Sequence, residues 1–514
     1  MKLWIRKHRI ALALTAIMLL AAFMRLWQLD SIPPGLHPDE AANGLDVFSI
    51  QSGHWQAFYD RNGGREGLFF YLQAIGVTLL GNTILGLRIA PAILGILSVG
   101  AVYLWVASWF NRRTALIAAL LMAVTPWAVI ISRDGFRAGM LMLMIPLTLW
   151  LMTKAIRSPK WYWSAAAGLS FGLGFYTYIA YRMFPLALAA AGLYILLWRR
   201  DWIRLYWKRA TVALLVTAIT LVPLGLYAVG NPAAVLSRSG GVSVTNPDLN
   251  HGNLIGTVFD STAKTILMFN VHGDENYRHG VGGEPMLNLF VGLMFILGIM
   301  LAISRIKRLS YFALLMVFGS MLLPAALTAE GIPHGLRTVG AIAPALVLAA
   351  LGINFLLYQW QRTFPLNPVA RNSGTAAIVL LLALTVYHGY ATYFVAWAGS
   401  PEVYKAYSEE NVALSNYYNA NPVSGKRYVV AGDYTLQTVE YLTHNKSQWQ
   451  SIDPTKVDAV PLDPGVAKEF AVFSYDKDKV VERLRLKFPK GTVSPYYSPV
   501  SNNELYILYK VPAQ

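Results

Sequence analysis

The sequence predicts an all-α polytopic membrane domain followed by a small α/β domain outside the membrane, and three observations carry that prediction. The 514 residues are 55% hydrophobic and only 14% charged, with a mean hydropathy of +0.43, a balance that an ordinary water-soluble fold does not have. Apolar stretches long enough to cross a bilayer recur along residues 10–396. From Pro401 onward they stop, and short alternating strand patterns separated by helical ones replace them.

The chain opens on a short basic segment with Lys2, Arg6, Lys7 and Arg9, and an apolar run from Ile10 to Leu29 follows. This reads as a first span that starts inside rather than as a cleaved signal, because many similar runs follow and no clear small-residue cleavage site does. Further spans are expected near 86–110, 114–131, 138–156, 161–180, 183–198, 210–229, 286–303, 311–328, 338–358 and 374–396, about eleven in all. Gly67 to Gly81 is short for a span, and reading it as a juxtamembrane helix in the interface gives a consistent charge map. Arg112/Arg113, Lys154/Arg157/Lys160, Arg199 to Arg209, Arg305/Lys307/Arg308 and Arg362/Arg371 then join the N-terminus on one side. By the positive-inside bias that side is the cytoplasm. The expected division is a membrane domain over 1–397, with outer loops 30–85 and 230–285, and a soluble extracytoplasmic α/β domain over 398–514. The strands are expected at Arg427 to Ala431, Phe470 to Tyr475 and Glu504 to Val511, with helices at Thr435 to Thr443 and Asp478 to Phe488.

The formal charge is +16, which in a soluble protein would suggest nucleic acid. Here the tail from Pro401 balances thirteen basic against thirteen acidic residues, so the whole excess belongs to the membrane part, where it orients helices. Nucleic acid is not an expected partner. The tail's balanced charge and lack of a catalytic cluster predict an accessory role in acceptor choice or assembly. The absence of cysteine removes disulfides, thiolate metal sites and cysteine nucleophiles together.

Sorting ionisable residues by side concentrates the chemistry on the outside. Of the acids before the tail only Asp201 falls on the cytoplasmic side, whereas Asp39, Glu40, Glu66, Asp274 and Glu330 fall outside with the rest. The outer cations are almost all arginine, including Arg25, Arg65, Arg88, Arg133, Arg137, Arg182, Arg238, Arg278 and Arg337. A planar guanidinium grips a phosphate in two places and gives up water more readily than lysine, so the set predicts an anionic ligand at the outer leaflet. Singly, such arginines also salt-bridge nearby acids or snorkel to lipid head groups.

His37-Pro38-Asp39-Glu40 places two carboxylates in the first turn of a predicted helix. Proline first and acids next is also what any helix N-terminus favours. Adjacent helical residues diverge by about 100°, so one acid should face a pocket and the other bond the scaffold. Arg65-Glu66-Gly67 precedes the interfacial helix, Arg88 lies at the mouth of the next span, and Arg133 and Arg137 flank a tight outer turn. Asp274, Arg278 and His279 close the long outer loop, and His334 and Arg337 stand three residues apart at another span entrance, within reach of one phosphate.

An Asp-Glu pair in the first outer loop, a glutamate before an interfacial helix, Arg88-Ile89-Ala90-Pro91 opening the next span and Ser132-Arg133 after the third together resemble the GT-C glycosyltransferases. The branch resembled is the protein O-mannosyltransferase and aminoarabinose-transferase-like group, glycosyltransferase family 39. The resemblance covers residues 1–396 and implies a GT-C fold. It makes Asp39 the catalytic aspartate, Glu40 its partner and Glu66 the acid before the interfacial helix. The family often writes that second motif His/Lys-Pro-Pro-Leu, whereas this chain has Arg65-Glu66-Gly67-Leu68. It further implies a polyprenyl-phosphate-linked sugar donor whose phosphate meets His334 and Arg337, and the residues themselves add Arg65 and Arg88 as expected phosphate contacts.

The expected activity is inverting transfer of that sugar to a hydroxyl acceptor at the outer face of a multi-pass cell membrane, with membrane lipids as surroundings. Asp39 takes the acceptor proton and the arginines stabilise the departing phosphate. No cofactor is required, because cationic side chains can replace a metal at a monophosphate, although Asp39, Glu40 and Glu66 could hold a divalent cation. The rival reading is a multispan transporter or flippase, which calls for ionisable residues along a path through the bilayer.

Overall fold

The structure is a computed structural model that describes residues 2–232, 241–422 and 425–513. It resolves into two compact units, one built from Met1–Trp27, Trp55–Tyr71 and Ile89–Val395, the other from Gln28–His54, Leu72–Arg88 and Ala396–Gln514.

Among the described residues, eight helices are long and apolar enough to cross a membrane: His8–Leu26, Ile84–Trp109, Arg137–Arg157, Ile179–Trp198, Arg200–Gly230, Leu309–Ala326, Val339–Thr363 and Pro368–Trp397. A ninth span forms if Arg112–Val124 and Pro126–Arg133, which meet at 59°, are counted as one. The chain is thus a multi-pass membrane protein, with eight or nine long spans among the described residues where the sequence suggests about eleven. The two remaining stretches are helical but short, Trp161–Gly174 with 14 residues and Leu289–Ser304 with 16. At ~1.5 Å per residue neither covers a hydrocarbon core of about 30 Å. α3 (Leu68–Leu80), 13 residues long, is shorter still.

In the first unit, α1 (Lys2–Leu26), α4 (Ile84–Trp109, in this unit from Ile89), α5 (Arg112–Val124), α6 (Pro126–Arg133), α7 (Leu141–Arg157), α8 (Trp161–Gly174), α9 (Phe184–Trp198) and α10 (Arg200–Gly230) precede the helices of residues 254–390. The break between α5 and α6 has a local cause. Pro126 has no N–H to give and pushes Thr125 into extended backbone, φ −62° and ψ 124°. Arg25 of α1, fully buried, donates to the Met122 and Ala123 carbonyls at 2.9 Å each, satisfying acceptors that the break would strand. Elsewhere small residues let backbones touch. A Cβ on Gly298 would collide with the Leu348 carbonyl, and one on Gly352 with that of Met294, so the helices Leu289–Ser304 and Ile342–Thr363 pack at closest approach.

The second unit carries a five-stranded sheet in the order β4-β3-β5-β7-β6: β3 (Lys426–Val430), β4 (Gln450–Ile452), β5 (Lys468–Phe473), β6 (Thr492–Tyr497) and β7 (Glu504–Val511). The strands β4, β3 and β5 run parallel, and β7 and β6 are antiparallel additions. Every residue of β5 is buried, as a central strand with covered faces requires. Leu414, Leu436 and Val439 cover one face, and Val480, Val481 and Leu484 the other.

The same unit contains α2 (Pro38–Gln51). Its Gly44 lies where a Cβ would strike the Tyr441 ring, and Phe48 stacks on Tyr441 and on His444 with ring centroids 5.4 and 4.1 Å away. The Thr438 hydroxyl donates to the Leu36 carbonyl at 3.0 Å. The tail, read as an accessory from its sequence, therefore supplies the packing surface of the helix that begins with the Asp-Glu pair.

Candidate functional site

In the second unit the site begins with α2. His37 caps the helix by accepting the Asp39 N–H at Nδ1, 3.2 Å, and Glu40 closes a capping box by accepting the His37 N–H at 3.4 Å. Accepting that bond leaves the proton of a neutral imidazole on Nε2. The edge of the His37 ring packs toward Tyr434, 6.2 Å between centroids.

The two acids then diverge as one helical step dictates. Glu40 is fully buried, with Oε2 accepting from Arg88 Nε at 3.0 Å and Oε1 from Arg88 Nη2 at 2.9 Å. Arg88 also donates to the carbonyls of Pro33 at 2.6 Å and Gly35 at 2.9 Å, and has Tyr407 beneath it. Its fork is occupied in holding the chain that leads into α2, with none of its surface exposed. Asp39, one residue earlier, keeps 36% of its side chain exposed, with one carboxylate oxygen 3.8 Å from His37 Nδ1.

A different arrangement stands in the first unit. Strands β1 (Phe58–Tyr59) and β2 (Arg65–Glu66) pair Phe58 with Glu66 and Tyr59 with Arg65. Neighbours on a strand point to opposite faces, and the two charges part accordingly. Arg65 Nε donates to the Arg61 carbonyl at 3.1 Å and its guanidinium lies over Phe70. Glu66, 2% exposed, faces Arg137 at 3.0 Å and Arg182 at 3.6 Å. One carboxylate thus meets two guanidiniums. Arg137 also lies over the Tyr178 ring. Arg133, fully buried, donates instead to the carbonyls of Met24 and Trp27 at 3.1 and 2.7 Å, closing the end of α1.

A third group in the first unit centres on Asp274, 3% exposed. Its Oδ1 accepts from the Asn276 N–H at 2.8 Å, and its Oδ2 from His279 Nδ1 at 2.5 Å and the Gly335 N–H at 2.6 Å. The His279 and His334 rings stack at 4.6 Å and 14°, with His334 Nδ1 3.9 Å from Asp274 Oδ2. Arg278 turns to Asn276. Arg337 is held by the Thr328 hydroxyl at 2.9 Å and the Glu330 carbonyl at 2.6 Å, while His334 joins Asp274 and His279. The spacing of three expected to unite His334 and Arg337 belongs to a helix, and residues 331–337 are bends and turns instead.

Metal ligands can be weighed on the same geometry. Glu40 is engaged by Arg88 and Glu66 by two arginines, which does not suit the cation expected at Asp39, Glu40 and Glu66. Asp274, His279 and His334 bring one ligand atom each within 4.8 Å of one another. One carboxylate and two imidazoles is a zinc-like donor set, though an ion bound at His279 Nδ1 would have to replace that atom's bond to Asp274.

The sequence reading placed Arg182 among the outer arginines without a role, and the structure puts it on Glu66. Its signal was a lone cation in the short break between two apolar stretches. Arg238 lies outside the described residues.

The profile of the dolichyl-phosphate-mannose-protein mannosyltransferases matches residues 68–225. YkcB of Bacillus subtilis (strain 168), which carries a provisional mannosyltransferase name, is 29% identical over 191 residues. That stretch is 35% of this chain and 26% of YkcB. Among solved structures, ArnT from Cupriavidus metallidurans bound to undecaprenyl phosphate superposes with a TM-score of 0.62 at 15% identity, covering 99% of each chain. The archaeal oligosaccharyltransferase AglB from Archaeoglobus fulgidus, in complex with an inhibitory peptide and a dolichol-phosphate, gives 0.56 at 16% identity over 98% of this chain and 74% of its own.

Proposed function

We propose that this chain is a GT-C glycosyltransferase, an inverting transferase that moves a sugar from a polyprenyl-phosphate donor to a hydroxyl acceptor, a reading that the superposition on ArnT and the match of residues 68–225 to the mannosyltransferase profile support. The observation that carries the reading is the division of labour on one turn of α2. Glu40 is buried and clamped by Arg88, and Asp39 beside it remains accessible. A carboxylate on a fixed helix turn, open to a substrate, is placed as a general base is required to be.

In this reading Asp39 accepts the proton of the acceptor hydroxyl as the oxygen attacks the anomeric carbon, and the bond from that carbon to the phosphate oxygen breaks with inversion. Glu40 and Arg88 act as positioning residues, a change from the phosphate-binding role first expected of Arg88. The leaving phosphate gathers negative charge, and guanidiniums of the kind that Arg137 and Arg182 bring to Glu66, with Arg65 on the β1–β2 hairpin, are the groups suited to stabilising it. His334 and Arg337 are proposed as donor-phosphate contacts of secondary weight, His334 oriented by the Asp274–His279 pair. No step is routed through a metal.

We take residues 1–397 as the transferase domain and 398–514 as the extracytoplasmic domain, with the N-terminus cytoplasmic. The clustering of Lys and Arg at one set of span ends supports that orientation, and reporter fusions after Arg157 and after Gln514 test it. The sugar and the acceptor class are tested together by offering the purified full chain a panel of polyprenyl-phosphate sugars and following release of polyprenyl phosphate. Turnover of one donor that requires a hydroxyl compound supports the proposal. Donor translocation across vesicles without bond cleavage contradicts it.

A further inference from the structure

On the Lys- and Arg-rich ends of the first unit's helices, well outside the groups assigned to transfer, lie three adjoining cavities. The first, about 460 Å³, is walled by the end of α4, the 305–308 connection and the helix Ile342–Thr363, and presents Asn111, Arg305, Arg308, Asn354 and Tyr358. Arg305 donates to the Tyr311 hydroxyl at 2.9 Å, and among the described residues no carboxylate pairs with Arg305 or Arg308. Two cations without a counter-charge in one recess call for an anion.

Trp109 and Ser310 line both this recess and a second cavity of about 550 Å³, which is almost wholly apolar and runs toward Ala313 and Val317. A third, about 690 Å³ and equally apolar, runs toward Gly168 and Phe171. The two apolar cavities share Met152, Leu188, Gly192 and Ile195, so they are limbs of one branched slot. Trp109 stands where the polar recess meets the slot and Tyr358 lines the recess, as aromatic rings do at a membrane interface.

We propose that this face binds one anionic two-chain glycerophospholipid, with its phosphate on Arg305 and Arg308 and one acyl chain in each limb of the slot. The charge of the recess selects an anionic head group, which a cation-rich surface draws from its leaflet. The fork selects two chains. A single prenyl chain would occupy one limb only, whereas two acyl chains from one head group cover both.

Native mass spectrometry of the delipidated full chain in detergent tests this, titrating phosphatidylglycerol, phosphatidylcholine with the same chains, and undecaprenyl phosphate. Retention of one phosphatidylglycerol per chain is expected, about tenfold tighter than phosphatidylcholine, the factor that charge-assisted hydrogen bonds provide. Arg305→Gln with Arg308→Gln should erase that preference. Gly192→Phe is an independent variant, because a Cβ at Gly192 meets nothing within 4 Å and the ring enters the slot. It should weaken both phospholipids by a similar factor and keep their ratio. Equal affinity for the two head groups in the unaltered chain overturns the proposal. So does one-for-one displacement of phosphatidylglycerol by undecaprenyl phosphate with the same sensitivity to the variants, which would make the slot a prenyl site. If the double variant fails to fold, unchanged phosphatidylglycerol affinity in Gly192→Phe overturns it alone.

Discussion

The guanidinium of Arg88 holds the carboxylate of Glu40 by two near-parallel bonds of 2.9 and 3.0 Å, with both side chains completely buried. Forty-eight residues separate them, so within the second unit this pair ties the segment Leu72–Arg88 to the first turn of α2 and fixes where Asp39 stands.

Removing one member should be severe. Glu40→Gln or Arg88→Met strands a buried charge, or half-satisfies one, and the expected loss is about 3 to 5 kcal/mol of stability. A double-mutant cycle in thermal melting checks it. Replacing both residues with apolar ones of similar volume should recover part of the loss, whereas additive effects would show that the pair does not act as a unit.

Arg137 and Arg182 should act on the donor. Arg182→Gln is expected to raise the donor KM about tenfold to hundredfold, the value of a charge-assisted bond of about 1.5 to 3 kcal/mol, with little effect on the acceptor KM. Glu66→Gln keeps both arginines but loosens their placement, so kcat should fall even though the local charge becomes more positive. Steady-state kinetics with each substrate varied separately distinguishes these outcomes.

The second unit should lose stability as pH rises from about 4.5 to about 7. Burial is the main reason the Glu410 carboxyl is pushed up from about 4.5 to about 7, with Glu409 beside it adding to the effect. Burial also raises Glu409, against a bond from Ser498. A raised acid is still protonated in the folded chain when its unfolded counterpart has already ionised. Folding therefore takes up protons between about 4.5 and 7, and stability declines across that window as pH increases. Glu410→Gln should flatten the decline, which melting temperatures at pH 5 and at pH 8 can reveal.

Much of the fold was legible because a bilayer imposes few solutions. Each of the eleven apolar stretches is helical, and the tail's three expected strands fall on β3, β5 and β7. The span count was not legible, since hydropathy does not show where Gly174 or Ser304 ends its helix too soon. The edge strands β4 and β6 were also missed. In Gln450–Ile452 and Thr492–Tyr497 most residues stay exposed, so the alternation that marks a half-buried strand is weak. At the site, the divergence of Asp39 and Glu40 followed from helix geometry, while the partners of Glu66 did not. Arg137 and Arg182 are 71 and 116 residues away in the chain, and only folding brings them to one carboxylate.

Asp39→Asn tests the central claim most directly, because the amide keeps the size and most hydrogen bonds of the carboxylate but cannot take a proton. The measurement is turnover of a polyprenyl-phosphate sugar in the presence of its acceptor, alongside donor affinity and melting temperature. The account predicts normal folding, donor binding close to that of the unaltered chain, and turnover lower by about a hundredfold to ten-thousandfold, the range of general-base assistance. Turnover within about fivefold of the unaltered chain, well below that range, would contradict it and leave Asp39 as a helix-end residue worth roughly 0.3 to 1 kcal/mol of stability.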